Sequence, residues 1–147
     1  MQQTDVILIP SYEPEEILIH IVKKLWNYGV DIVVVDDGSG KAFTPIFEEV
    51  SNYAHVISYE TNRGKGYALK EGLKYIKNNY DNVVVVTMDG DGQHDIGDAL
   101  RLADCVKAKR EIFYLGSRQM PKDAPIKSRI GNSVTRNICH DYWIKNI

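Results

Sequence analysis

The sequence predicts an α/β fold: a mainly parallel sheet covered by helices on both faces. Short runs rich in Val and Ile, at residues 6–9, 32–35, 56–59, 83–88 and 112–115, lack polar alternation, as strands buried on both faces do. Between them lie stretches whose apolar residues recur at helical spacing, and this strand-helix alternation is the signature of parallel βαβ units. Each run is also followed by a polar or acidic turn. In such sheets ligands bind outside the carboxyl ends of the strands, so these turns predict one functional edge.

The elements follow in order. The first run stops at Pro10 and the second at Asp36-Asp37-Gly38. Between them Pro14 suits a first helical turn, and Glu15 and Glu16 favour its positive end. Ile17, Leu18, Ile21, Val22 and Leu25 then form an apolar stripe until Gly29 closes the helix. A weaker helix over residues 44–50 leads to the third run, after which Gly64-Lys65-Gly66 opens a helix carrying Ala68, Leu69, Leu73 and Ile76. Four successive valines make the fourth strand, residues 96–108 read as a helix, and the fifth run leads into Gly116-Ser117-Arg118. Residues 124–147 hold Ser128, Arg129, Asn132, Arg136 and Asn137 among scattered apolar residues and read as an isolated helix.

Composition narrows the classes. At 147 residues with 44% apolar content, one domain spanning residues 1–147 with one core is expected. Lys and Arg total 18 against 20 for Asp and Glu, and a net charge of -2 gives no broad positive field, so nucleic acid is not an expected partner. Cys105 and Cys139 stand far apart with no CxxC or His/Cys cluster, which fits a reducing cytoplasm and excludes a zinc ribbon. The polar opening and strand-length apolar runs read as neither a signal peptide nor a membrane span. The expected location is the cytoplasm, and peripheral contact at the cytoplasmic face of a membrane stays open.

Asp89-Gly90-Asp91-Gly92-Gln93-His94-Asp95, directly after the valine strand, carries the strongest chemical signal. Two carboxylates two residues apart on a turn can aim at one hard cation, and the glycines let backbone and ligand approach closely. Mg²⁺ or Mn²⁺ held by one or two carboxylates completes its shell with phosphate oxygens, which points to a nucleoside diphosphate derivative. On the motif alone, an acidic surface turn without an ion is the competing reading. An EF-hand loop is excluded, because His94 stands where glycine is required and Leu100 where the bidentate glutamate belongs.

Asp37 ends the second strand where nucleotide-binding α/β proteins place a carboxylate for base or ribose, although a simple turn also explains it. Asn62-Arg63-Gly64-Lys65-Gly66 offers cations and backbone donors at a helix start, a natural anion site, against the alternative of an ordinary glycine turn. It is neither a Walker loop nor a dinucleotide fingerprint: Lys65 lacks the following Ser/Thr, and Leu69 stands where the third glycine belongs. Arg118, after the fifth run, carries a guanidinium of the kind that contacts a diphosphate bidentately, against the simpler alternative of a surface arginine beside a loop. His20 and His55 read as structural.

Taken together, Ile9-Pro10-Ser11-Tyr12, Val34-Val35-Asp36-Asp37-Gly38-Ser39, Asn62-Arg63-Gly64-Lys65-Gly66, Asp89-Gly90-Asp91-Gly92-Gln93-His94 and Gly116-Ser117-Arg118 resemble, in order and spacing, the family 2 glycosyltransferases of GT-A fold. The resemblance is greatest to the dolichyl-phosphate mannose synthase branch of polyprenyl-phosphate glycosyltransferases. It implies a Rossmann-like, three-layer α/β/α nucleotide-diphospho-sugar transferase. It further implies that Pro10, Tyr12, Val35 and Asp37 line the nucleoside pocket and that Asp89, Gly90 and Asp91 face the diphosphate, with Lys65 contributing as a cation. By the same resemblance Asp91 and Gln93, with Asp89, hold the metal, and Asp89, Asp91 and Arg118 form the catalytic set.

The implied reaction is inverting transfer from a GDP- or UDP-sugar: the metal neutralises charge growing on the leaving diphosphate while an acceptor attacks the anomeric carbon from the opposite face. A hydroxyl acceptor, as on a saccharide, needs a general base, whereas a polyprenyl phosphate is already anionic, so the absence of an evident base favours the lipid phosphate. The sequence departs from the family in two ways. Glu13-Pro14 replaces the usual Asn-Glu after Pro-x-Tyr. Family members also run on through further strands beyond the position of Ile147, so the acceptor half is expected to be cut short, with residues 120–147 as its start. The rivals are a noncatalytic nucleotide-sugar-binding module and a signalling receiver domain, the latter lacking a later strand to carry its lysine.

Overall fold

The apolar run at residues 6–9 becomes the centre of the sheet. In the computed structural model, which describes residues 4–93 and 95–108, four parallel strands lie in the order β3-β2-β1-β4. They are β1 (Thr4–Ser11), β2 (Asp31–Asp36), β3 (His55–Ser58) and β4 (Val83–Thr87). Helices α1 (Ile17–Asn27), α2 (Thr44–Val50), α3 (Lys65–Asn79) and α4 (Ile96–Ala108) separate or follow them. A 3-10 turn at Lys41–Phe43 precedes α2. The described residues all fall within one compact unit, Met1–Tyr114. The expected fifth strand, Arg118, His94 and residues 120–147 lie outside the described residues.

Alternation along β1 builds the layers. Ile7 and Ile9 point with Ile32 and Val34 into a core closed by Leu18, Val22 and Leu25 of α1, Phe47 of α2 and Ala99 of α4. Val6 and Leu8 point the other way, with Val33 and Val35, against Ala68 and Ile76 of α3. The result is the three-layer α/β/α arrangement. Because both faces are covered, Val6 to Ile9 and Val33 to Val35 are fully buried, which is why the sequence shows unbroken apolar runs there.

The chain first builds outward, β1 to β2 to β3, and then crosses back to lay β4 on the other side of β1. This reversal makes the carboxyl end of β1 the switch point of the sheet, the place where open α/β sheets bind ligands.

Three local expectations are corrected. Pro14 and the two following glutamates precede α1 rather than forming its first turn, which holds no acidic residue. Glu13 adopts a left-handed conformation (φ 47°) and donates its N–H to Ser39 Oγ at 2.8 Å, so the chain is still turning there. Leu73 is exposed on α3, because the face against the sheet runs through Ala68, Gly72 and Ile76. A Cβ at Gly72 would lie 2.3 Å from Leu8 Cδ1, so the absence of a side chain sets the seating of the helix. β3 and β4 are also only partly covered, with Val84 and Val86 buried but Val83 and Val85 half-buried.

Candidate functional site

Strand ends are tied together before any ligand is considered. The Asp37 N–H donates to Ser11 O at 2.8 Å, and the Met88 N–H donates to Leu8 O at 3.1 Å, so β2 and β4 are both fastened to β1 near its carboxyl end. The last two residues of β1, Pro10 and Ser11, are buried, while Tyr12 just after them is 50% exposed at the rim. The loop after β1 is held to the loop after β2 by the Glu13 to Ser39 bond, and the Ser39 N–H in turn donates to Asp36 Oδ1 at 2.9 Å. The neighbouring Glu13 carboxylate raises the Tyr12 pKa above its usual value.

Asp37 is 3% exposed, and its carboxylate is hydrogen-bonded, as a buried polar group must be. Its Oδ1 accepts from the Tyr59 hydroxyl at 2.6 Å and from the Arg63 N–H at 2.8 Å. Burial first, then the bond to Asp37, raise the Tyr59 pKa far above its usual value near 10, which keeps the hydroxyl a donor. Gly38 makes this approach possible: at φ +73° a Cβ would stand 2.4 Å from the Asn62 N. The loops after β2 and β3 thus meet at a position only glycine fits.

The acidic turn sits beyond β4. A Cβ on Gly90 would come within 2.9 Å of Leu18 Cδ1 and 3.2 Å of Ile9 Cγ2, so glycine lets the turn settle onto β1 and α1. Asp91 Oδ1 accepts the Gln93 N–H at 2.9 Å, which curls the turn around that carboxylate. Asp95 then starts α4, its carboxylate accepting the Asp98 N–H at 3.2 Å. Lys65, at the start of α3, forms an ion pair with Asp89.

Pro10, Tyr12, Asp37, Lys65, Asp89, Gly90, Asp91 and Gln93 therefore belong to one sheet edge, carried by the ends of β1, β2 and β4 and the beginning of α3. Val35 is also at that end, but its side chain is fully buried toward α3 and the residue is paired with Pro10 of β1 and Ile57 of β3, so the expectation that it lines a pocket is corrected to a core position. Arg63, read as a phosphate cation, instead lays its guanidinium over the Tyr67 ring at 4.9 Å and donates to the Tyr67 hydroxyl at 3.0 Å. Sequence reasoning missed Tyr59 and Ser39. The position of Tyr59 directly after β3 was the available signal.

The donor set of Asp89, Asp91 and Gln93 is all oxygen, which suits a hard cation such as Mg²⁺ or Mn²⁺. Among the described residues no three His, Cys, Asp or Glu side chains cluster around a common point. Two carboxylates therefore fit an ion whose remaining positions are filled by a ligand's oxygens, and do not fit a closed protein site.

An α/β domain with acidic turns gathered at the switch point of its sheet defines a class of nucleotide-type binding folds, and comparison with known proteins identifies which. S. aureus TarS (residues 1–349) superposes with a TM-score of 0.57 at 20% identity, covering 81% of this chain and 38% of TarS, which places the fold as GT-A. Residues 6–140 match the family described as Glycosyl transferase family 2. The chain belongs to glycosyl transferase family 2.

Among its relatives is the UDP-N-acetylglucosamine–dolichyl-phosphate N-acetylglucosaminyltransferase of Methanococcus voltae, 29% identical over 86% of this chain and 58% of its own length. The polyprenol monophosphomannose synthase of Mycolicibacterium smegmatis is 32% identical over 81% of this chain and 46% of its own length. The chain spans about half the length of the curated relatives it matches. The names of the Methanococcus and Mycolicibacterium relatives fall in the polyprenyl-phosphate branch that the motifs resemble.

Proposed function

We propose that this chain is the nucleotide-sugar-binding part of a metal-dependent, inverting glycosyltransferase that moves a sugar from a GDP- or UDP-sugar to a polyprenyl phosphate. The observation that carries this reading is the placement of two acidic turns on either side of one strand end. Asp37 follows β2 and Asp89-Gly90-Asp91 follows β4, and both strands pair with β1. With strands roughly 4.8 Å apart, the two turns are separated by roughly 10 Å, the scale of the reach from a nucleobase across its ribose to a diphosphate.

In this reading Asp37 accepts a hydrogen bond from the base and Tyr12, at the exposed rim, covers it. Asp91 and Gln93, with Asp89, hold Mg²⁺ or Mn²⁺, and the bound ion supplies neutralisation of the charge that grows on the departing diphosphate. Gly90 keeps the turn low enough for the diphosphate to approach the backbone. Lys65 turns its ammonium from Asp89 toward a phosphate oxygen when the donor enters, and Arg118 serves the phosphate or sugar side.

A phosphate acceptor is already anionic and requires no proton removal, which accords with a site that presents carboxylates to a cation rather than a base to a hydroxyl. The names of the relatives support a lipid-phosphate acceptor, and an acceptor of that kind would call for peripheral contact at the cytoplasmic face of a membrane. Among the described residues no helix is long and apolar enough to cross one. A thermal-shift panel of nucleotide sugars with and without Mn²⁺ or Mg²⁺ tests the reading. Stabilisation by one nucleotide class with metal supports it, and no response to any donor contradicts it.

A further inference from the structure

The carboxyl end of the sheet carries more than the acidic turns. Both hydrogen bonds to the Asp37 carboxylate fall on the same oxygen, Oδ1: one from the Tyr59 hydroxyl at 2.6 Å, the other from the Arg63 backbone at 2.8 Å. Tyr59 is itself braced. Its ring packs edge-on against Tyr67, with centroids 5.4 Å apart and an interplanar angle of 89°. The Tyr67 ring lies under the Arg63 guanidinium and its hydroxyl accepts from Arg63 Nη1. Tyr59, Arg63 and Tyr67 thus form one unit, from the loop after β3 into the first turn of α3, and it grips a buried carboxylate from one side.

We propose that Tyr59 is a positioning residue for nucleobase selection: by committing Asp37 Oδ1 it fixes the carboxylate plane and presents Oδ2 as an acceptor for a ring N–H. This deepens the proposed function and rests on Asp37 meeting the base. An ionised carboxylate accepts only, and with both donors on Oδ1 the second oxygen is the one left to face a ligand. A held acceptor rewards uracil and guanine, whose lactam nitrogens carry a proton. It penalises cytosine and adenine, which turn a bare ring nitrogen toward it. A carboxylate free to rotate retains attraction for N–H groups but loses the directional part of this discrimination. Tyr59 therefore acts through Asp37, without touching the ligand.

The test compares affinities within matched pairs, UDP against CDP and GDP against ADP, by calorimetric titration of the full chain with Mg²⁺. Three proteins are used: the unmodified chain, Tyr59→Phe and Asp37→Asn. Tyr59→Phe keeps the ring on Tyr67 and removes only the donor. The expected result is a preference for the lactam base that falls roughly tenfold in Tyr59→Phe, the value of one hydrogen bond to a charged group, and disappears in Asp37→Asn. A purely structural role for Tyr59 would weaken both members of a pair equally and leave their ratio unchanged.

If Asp37→Asn abolishes the preference while Tyr59→Phe preserves it, the positioning role is wrong and the Asp37 reading survives. If Asp37→Asn leaves the preference intact, or no nucleotide binds, the reading of Asp37 fails and the role of Tyr59 fails with it. A Tyr59→Phe chain that has lost its native circular dichroism also overturns the proposal, since the hydroxyl then serves the fold rather than the site.

Discussion

The Lys65 ammonium is ion-paired with the Asp89 carboxylate, joining the first turn of α3 to the acidic turn beyond β4. The partners are 59% and 36% exposed, and exposed pairs of this kind contribute only about 0–1 kcal/mol to stability. The pair is thus cheap to break, as a cation that must change partners has to be. Lys65→Met is expected to leave Tm nearly unchanged while weakening UDP or GDP binding roughly three- to tenfold, the scale of one charge-assisted contact. Calorimetry beside a thermal melt separates the two effects. A large fall in Tm with unchanged affinity would make Lys65 structural.

Asp37→Ala is expected to weaken uridine or guanosine as well as the corresponding diphosphate, by roughly ten- to a hundredfold. Loss in both arises because the proposed contact is to the base. An effect confined to the diphosphate would move Asp37 to the phosphate end, and no effect would remove it from the pocket.

Gly38→Ala forces a side chain onto the Asn62 backbone at a left-handed position. The expected cost is about 1–3 kcal/mol, read as a lower urea midpoint at unchanged slope. Because the same clash pushes away the loop that carries Arg63, nucleoside affinity falls as well. Stability without loss would mean that the loops after β2 and β3 part easily.

The strands and helices were legible because each is specified locally. Unbroken Val and Ile runs require burial on both faces, and the helical stripes between them leave a parallel sheet as the remaining arrangement. The order β3-β2-β1-β4 was not legible, since pairing β4 with β1 joins segments far apart in sequence. Pro14 misled for a related reason. A proline before two glutamates is a sound local signal for a helix start, but a bond from Glu13 to Ser39, 26 residues on, holds the chain in a turn. The acidic residues of the candidate site stood out because they directly follow apolar strands, although Asp37, Asp91 and Asp95 also accept backbone N–H groups. Tyr59 was not, because its role exists only where the loop after β3 folds back over Gly38.

Comparing the unmodified chain with Tyr59→Phe at alkaline pH separates Tyr59 from the other raised tyrosines, Tyr12 and Tyr80. Burial and the bond to Asp37 raise its pKa in the folded chain above the value near 10 that it has unfolded. Below pH 10 both states keep the proton, so the contribution to stability is fully present. Above it the unfolded state releases the proton first and stability falls as pH rises. Tyr59→Phe is therefore expected to be less stable than the unmodified chain at pH 8, with the gap narrowing above pH 10. A gap that widens with pH would contradict the assigned hydrogen bond.

The central claim is that Asp89 and Asp91 share one divalent cation with a diphosphate while Asp37 meets the base. A crystal grown with Mn²⁺ and UDP or GDP tests it most directly, because manganese is located by its anomalous scattering. The account predicts one peak coordinated by Asp91 and Gln93, with Asp89 beside it, phosphate oxygens completing the shell and the base against Asp37. Carboxylates turned to bulk solvent, with nucleotide absent from the carboxyl end of the sheet or bound without metal, would contradict it.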